Sequence, residues 1–406
     1  MSSRGTLGPR PGAYRALVLA TVAFALCFAV WGLVSPLATQ FQKLYELSST
    51  QISIVIATPV ILGSLFRIPI GLLTDRFGGR AVFSALMLIL VVPVLFIGLL
   101  GGSFGGLLFW AFFLGLAGSS FAVGVPFVNK WFPPHMQGLV LGIYGMGNIG
   151  SAIAAYAAPA IAAFYGWEWA FWVFILPLLA MAAIFWLLGR DAPQAGPRPS
   201  VTAGISLFRS EIMPWVLSLF YFLTFGGFVA LGIYLPKLLV DLFGFTPTGA
   251  GLRAAGFVVL ATLARPVGGW LADRIGGSRT LAIVFAIVPL TALVMSLQPD
   301  LGLFRLAVLT TAVFLGIGNG AVFKLVAAYY PDKTGAVTGV VGAAGGLGGF
   351  FPPLILGVVR DATGSYAVGF VLLALFAAGC LLVDLFYVGR HPAGDPSTAT
   401  EGRVRK

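Results

Sequence analysis

Twelve apolar stretches constrain this chain more than any other feature. A helix needs about 20 apolar residues to cross the hydrocarbon core of a bilayer. Runs of that kind lie at 14–38, 51–73, 80–101, 103–128, 136–163 and 167–188. A second set lies at 211–240, 246–272, 279–298, 303–328, 335–359 and 366–389. Between the sets, GRDAPQAGPRPS (189–200) is the longest polar, proline-rich stretch inside the chain, and it reads as a linker. Within lipid every backbone group must find its partner in its own segment, so apolar runs this long are helices. The expected fold is an all-α membrane protein with twelve transmembrane helices in two pseudo-symmetric six-helix bundles. The expected division is 1–188 for the first bundle, 189–208 for a cytoplasmic linker, 209–390 for the second bundle and 391–406 for a cytoplasmic tail.

Composition narrows the classes. Of 406 residues 59% are hydrophobic and 9% charged, against roughly 25% charged in a soluble domain. The net charge of +11 comes mostly from residues at the ends of apolar runs, which points to a membrane and away from nucleic acid. Cys27 and Cys380 fall inside apolar runs, and His135 and His391 have no ligand-like spacing around them. No metal, cofactor or disulfide framework is therefore expected. No catalytic constellation is visible either, so an enzyme is not expected. The basic N-terminus MSSRGTLGPRPGAYR lacks a small-residue cleavage site, and the first run reads as a retained helix.

The two halves repeat. Arg67, Gly71, Asp75, Arg76, Gly78 and Gly79 recur 198 positions later as Arg265, Gly269, Asp273, Arg274, Gly276 and Gly277. At the same offset Gly118 meets Gly316, Pro133 meets Pro331, Gly147 meets Gly345 and Gly150 meets Gly348. Parallel repeats of this kind are typical of transporters with a midplane site between halves. Orientation follows from Lys and Arg. If the helices alternate, Arg76, Arg80, Lys130, Arg190, Arg274, Arg279, Lys333 and Arg390 share one side with both termini. Lys43, Lys237, Arg253, Arg305 and Arg360 fall on the other. The richer side is cytoplasmic. The expected location is the cell inner (cytoplasmic) membrane, multi-pass, as a monomer in the lipid bilayer.

Arg67 precedes Asp75 by eight residues, which is about 12 Å of helix. That places it near the middle of a core about 30 Å thick, and the repeat places Arg265 at the same depth. The thirteen acids all lie in expected loops or near helix ends. Burying an arginine costs at least about 2.5–3.5 kcal/mol, so each should face a polar cavity. Two facing cations with no carboxylate at their depth invite an anion from outside. A planar oxyanion suits the flat guanidinium fork better than it suits a lysine.

GLLTDRFGGR (71–80) and GGWLADRIGGSR (268–279) resemble the loop motif of the major facilitator superfamily, with Asp75, Arg76, Asp273 and Arg274 as its charged residues. GSSFAVGVPFVNKWFPP (118–134), GIYGMGNIG (142–150) and GAVTGVVGAAGGLGGFFPP (335–353) resemble the nitrate/nitrite porter family within it. GMGNIG also fits a dinucleotide fingerprint, but it lies in an apolar run and follows no strand, so that reading is set aside. The resemblance implies that Arg67 and Arg265 are the paired substrate arginines. It implies that Asn148 and Tyr221 add hydrogen bonds and that Phe121, Phe225 and Phe28 form aromatic walls. Gly147 and Gly345 lie in the signature glycine stretches, where backbones approach each other and the ligand.

The function expected is alternating-access transport of nitrate and nitrite. Lys324, nine residues before Lys333, is a third cation expected to reach mid-depth. It is the candidate for proton coupling, since two nearby arginines would disfavour its charged form until an anion binds. That makes nitrate/proton symport the first expectation and nitrate/nitrite antiport the alternative. A small organic anion exchanger of the oxalate or formate type is a third reading. A channel or a membrane receptor belongs to a different class, and no soluble signalling domain supports the receptor.

Overall fold

The computed structural model describes residues 8–47, 49–193 and 210–391. Most of the expected linker (194–208) and nearly all of the expected tail (392–406) lie outside the described residues. Twelve helices long and apolar enough to cross a membrane are found among the described residues. They are α1 (Ala13–Leu37), α2 (Ile54–Phe77), α3 (Gly79–Leu100), α4 (Phe104–Asn129), α5 (Pro134–Tyr165) and α6 (Trp167–Leu188). The second set is α7 (Met213–Phe243), α8 (Gly249–Ile275), α9 (Gly277–Ser296), α10 (Leu301–Tyr329), α11 (Thr334–Phe351) and α12 (Ala367–Arg390). No strand occurs among the described residues. The chain is thus the all-α, twelve-helix membrane protein that the apolar runs imply.

Local chemistry shapes these helices. Pro69 has no N–H for the carbonyl of Leu65, and α2 breaks at Phe66: its first piece belongs to a helix that begins before the span, Ser49–Leu65, and its second is Arg67–Phe77. In α4 the stretch Gly115–Ser119 tightens to a 3₁₀ turn, and in α5 Met146–Asn148 does the same. The charged motif is helical rather than a loop: Asp75 and Arg76 belong to the last turn of α2, and only Gly78 turns the chain. Gly78 (φ 88°) and its repeat partner Gly276 (φ 96°) hold a positive-φ conformation, open to glycine, that lets one helix end and the next begin at once.

The chain folds into two compact units. One comprises Met1–Pro133, Tyr144–Val201 and Lys333–Ala343, and the other Pro134–Ile143, Thr202–Asp332 and Ala344–Lys406. They follow the sequence halves except at two places: the start of α5 groups with the second unit and the start of α11 with the first.

Each unit packs through small residues, as helices in lipid do. In the first unit a Cβ on Gly71 would lie 2.1 Å from the Gly335 carbonyl oxygen, so α2 and the start of α11 touch backbone to backbone. In the second unit Gly138 of α5 and Gly269 of α8 are equally close, and Gly226 of α7 meets Gly348 of α11. The first unit also fixes the chain beyond α6. Asp191 accepts from the N–H groups of Gly79 (2.7 Å) and Arg80 (3.2 Å) and so caps α3.

The α7–α11 crossing gives a paired test. A Cβ at Gly226 would lie 2.5 Å from backbone atoms of Gly348, whereas one at Gly227 meets only the Leu315 side chain, at 3.4 Å. Gly226→Ala should therefore destabilise the protein by about 1–3 kcal/mol. Gly227→Ala should be neutral or raise stability by up to about 1 kcal/mol through helix propensity. Thermal unfolding of the two purified variants checks the contrast.

Candidate functional site

Two buried arginines organise the site residues, one in each unit. Arg67 and Arg265 are each 2% exposed.

Arg67 opens the second piece of α2, where the break at Phe66 sets its direction. Its Nε donates to the Gly118 carbonyl at 3.0 Å and its Nη1 to the Gly342 carbonyl at 2.5 Å. Gly118 lies in the 3₁₀ turn of α4. Gly342 lets α11 come close, since a Cβ there would sit 3.0 Å from Arg67 Cδ. Carbonyl oxygens carry only partial charge, so they stabilise the guanidinium without neutralising it.

The other candidates of the first unit gather on a residue that sequence reasoning did not single out, Phe24. Its ring lies 4.4 Å from Phe28 and 5.4 Å from Phe121, centroid to centroid. Tyr144 stacks on it at 4.9 Å and donates to the Ser120 carbonyl at 3.0 Å. A Cβ on Gly147 would lie 2.3 Å from the Phe24 ring, so this glycine is needed for α5 to pack on α1. Asn148 follows in the 3₁₀ turn. It is 1% exposed, and neither its amide oxygen nor its amide nitrogen has a hydrogen-bond partner among the described residues. A buried amide in that state is costly.

In the second unit Tyr221, Phe225, Arg265 and Gly345 come together directly. Arg265 Nη2 donates to the Tyr221 hydroxyl at 3.5 Å, and its guanidinium carbon lies 5.9 Å from the Phe225 centroid. Tyr221 stacks on Phe225 at 5.0 Å, and Phe323 of α10 meets it edge-on at 4.7 Å. Gly345 presses α11 against the Tyr221 ring, where a Cβ would stand 2.3 Å from Cδ1. This cation is held by a phenol and a π face, again neutral groups.

The motif acids bind helix N-termini, not arginines. In the first unit Asp75 accepts from the N–H groups of Gly335 (3.2 Å) and Ala336 (2.9 Å), with Lys130 Nζ at 4.0 Å. In the second unit Asp273 accepts from Gly138 (2.9 Å) and Leu139 (2.8 Å), with Lys324 Nζ at 2.7 Å. Each carboxylate meets the positive end of a helix dipole and a lysine together. Lys130 caps the end of α4 and Lys324 lies within the related helix α10, but the two positions are not repeat-equivalent. Arg76 and Arg274 instead lie over the rings of Phe77 (5.4 Å) and Trp270 (4.9 Å). A cavity of about 300 Å³ opens beside Asp75, Lys130, Asp191 and Phe127.

Lys324, expected at mid-depth, has its ammonium at the motif acid of its own unit. Its ammonium pairs with Asp273 and donates to the Pro134 carbonyl. A nearly buried ammonium takes the carboxylate within reach of its flexible stem. Just beyond α10, Tyr330 donates to Glu211 at 2.7 Å, and burial together with that bond pushes its hydroxyl pKa well above the usual tyrosine range. In sequence Lys130 and Asp191 are only an end-of-helix charge and a linker charge. Their partners are main-chain groups or residues far along the chain, which leave no local pattern.

Residues 19–351 and 217–406 match the family model described as Major Facilitator Superfamily. The chain is 46% identical over 373 residues to a protein of Bacillus subtilis named "Nitrite extrusion protein", covering 91% of this chain and 94% of that one. It is 40% identical over 381 residues to a "Probable nitrate/nitrite transporter NarK2" of Mycobacterium tuberculosis, covering 92% and 95%. Among solved structures, a proton:xylose symporter, XylE, superposes with a TM-score of 0.76 at 13% identity, covering 93% of this chain and 96% of the other. The E. coli fucose:proton symporter FucP gives 0.73 at 17% identity, covering 92% and 99%. At such identities these two show the fold alone.

The Asp273–Lys324 pair yields a stability test. The carboxylate side chain is 6% exposed and the lysine 15%. Lys324→Met should cost about 3 kcal/mol, because it strands a buried carboxylate. Adding Asp273→Asn should recover part of that loss. Thermal unfolding of the two single variants and the double variant measures the coupling, and additive effects would exclude it.

Proposed function

Since the chain belongs to the nitrate/nitrite porter family of the major facilitator superfamily, we propose that it carries nitrate and nitrite across the cytoplasmic membrane by alternating access, with Arg67 and Arg265 as the charged ligands of the anion. The observation that carries this reading is a pair of buried guanidiniums, repeat-equivalent in sequence, held by carbonyls, a phenol and an aromatic face. Such groups orient a cation through neutral contacts, and a guanidinium fork matches a planar oxyanion. In the first unit Asn148 is the candidate neutral ligand, beside the aromatic cluster of Phe28 and Phe121 on which Gly147 packs. In the second unit Tyr221 is the candidate neutral ligand, stacked on Phe225 and packed by Gly345. The basic-residue bias puts both termini in the cytoplasm. The carrier works as a monomer.

For coupling, exchange is the better-supported mode. The ammonium of Lys324 is engaged by Asp273, which suits holding one conformation closed better than carrying a proton beside the anion. A carrier with two buried cations is costly to close while empty and cheaper to close once an anion is bound. Transit only when loaded is antiport. Asp75, Arg76, Asp273 and Arg274 then govern the change of state rather than anion affinity.

The test is labelled nitrate uptake into proteoliposomes. With nitrite inside and no pH gradient, nitrate should accumulate, and counterflow should separate a carrier from a channel. Arg67→Lys or Arg265→Lys should each cut the rate about 100-fold, since lysine cannot make the paired charged hydrogen bonds. Oxalate should compete poorly. Uptake driven by a pH gradient alone, and abolished in Lys324→Gln, would instead establish proton symport.

A further inference from the structure

Threonines inside apolar helices usually bond the carbonyl one turn back. In the second unit Ser218, Thr280 and Thr311 do so, to Pro214, Gly276 and Ala307. Thr224 and Thr262 do not. Thr224 is 0% exposed and Thr262 is 1% exposed, and neither hydroxyl has a hydrogen-bond partner among the described residues. Asn319, also 1% exposed, has an unpartnered amide oxygen. These three orphans lie on three helices, and the helix register brings them to one level.

Between α7 and α8, Phe228 stacks with Phe257 and Tyr221 meets Arg265. Thr224 lies between those α7 positions and falls opposite Thr262. Between α7 and α10, Gly227 faces Leu315, Thr224 faces Gly318, and Tyr221 faces Phe323. That register sets Asn319 level with Thr224. Thr262 shares a helix face with Arg265 three residues on, and Asn319 shares one with Phe323 four residues on. All three therefore stand one turn, about 5 Å, from the Arg265–Tyr221 contact, on the side away from Asp273. Pro266 adds to the layer, because it has no N–H for the Thr262 carbonyl four residues back.

We propose that Thr224, Thr262 and Asn319 form a second hydrogen-bonding subsite for the small oxyanion, one helical turn from Arg265. The inference rests on the anion-carrier reading above. The chemistry selects the ligand class. A cation is repelled by Arg265 so close by, and an apolar ligand has no use for two hydroxyls and an amide. Hydroxyls rotate to donate, and the amide, turned over, presents its N–H₂ group in the same place. Neutral donors beside a cation hold an anion weakly. That suits a step through which the anion passes to or from the guanidinium. Valine would fill either threonine position with the same volume and no unpaired group, so packing alone does not call for threonine.

The test is nitrate affinity of the purified full-length protein in nanodiscs, by calorimetry, alongside its melting temperature. Thr224→Val and Thr262→Val should each weaken nitrate binding about tenfold without lowering the melting temperature, and serine at either position should restore it. Asn319→Ser gives a second route should a valine variant fail to fold, with an expected loss of about fivefold. A double valine variant that binds nitrate within twofold of the wild type would overturn the subsite and leave the carrier reading standing. Failure of the wild type to bind nitrate at all would overturn the carrier reading, and the subsite with it.

Discussion

A guanidinium buried among membrane-spanning helices is the constraint around which the rest is arranged. Its desolvation cost is several kcal/mol, and the protein offsets it differently in its two repeats. Arg67 leans on carbonyls of Gly118 and Gly342, which are available because α4 tightens to a 3₁₀ turn and α11 lacks side chains there. Arg265 leans on the Tyr221 phenol and the Phe225 ring. Both solutions use neutral acceptors. The glycines follow from this. Gly342 and Gly345 bring the α11 backbone against Arg67 and Tyr221, where any Cβ would push the arginine or its support out of place.

Carboxylates are spent elsewhere. Asp75 and Asp273 sit at helix ends, each closing the N-terminus of another helix and each beside a lysine. Eight residues separate each acid from its arginine, so each charge acts in its own place. An aspartate at the arginine's depth would have neutralised the cation and removed the reason for an anion to enter. The same chemistry recurs in both units, although Lys130 and Lys324 stand four residues apart once the repeat is applied. The repeat conserves the carboxylate and its helix end, while the lysine arrives from wherever its flexible stem can reach.

The twelve helices were legible because bilayer thickness imposes a length on every apolar run. Their ends fall within four residues of expectation, as at α1 and α6, except at α11, whose described span stops at Phe351, eight residues short of the run's end. The arginine settings were legible for a related reason: a charge in such a run stands out, and the repeat doubled it. What stayed hidden depends on register between helices. Phe24 joins Phe28, Phe121 and Gly147 into one cluster, yet one phenylalanine among 35 carries no mark in sequence. Lys324 misled for the opposite reason. Its position along α10 was read as its depth, but a lysine's charge lies several ångströms from its Cα, wherever a carboxylate is available.

Affinity and transport make different demands on a buried cation. A carrier must release its cargo as well as hold it. Under the proposed function, buried neutral groups would offer an anion weaker positions than a guanidinium does. Asn148 in the first unit, with both amide atoms unpartnered, and the Thr224–Thr262–Asn319 layer in the second have this character. Each is buried and has at least one polar atom without a hydrogen-bond partner among the described residues, in a helix that would be more stable with an apolar side chain. A protein keeps such costs only where something outside the chain repays them. In an anion carrier, that something is the cargo in transit.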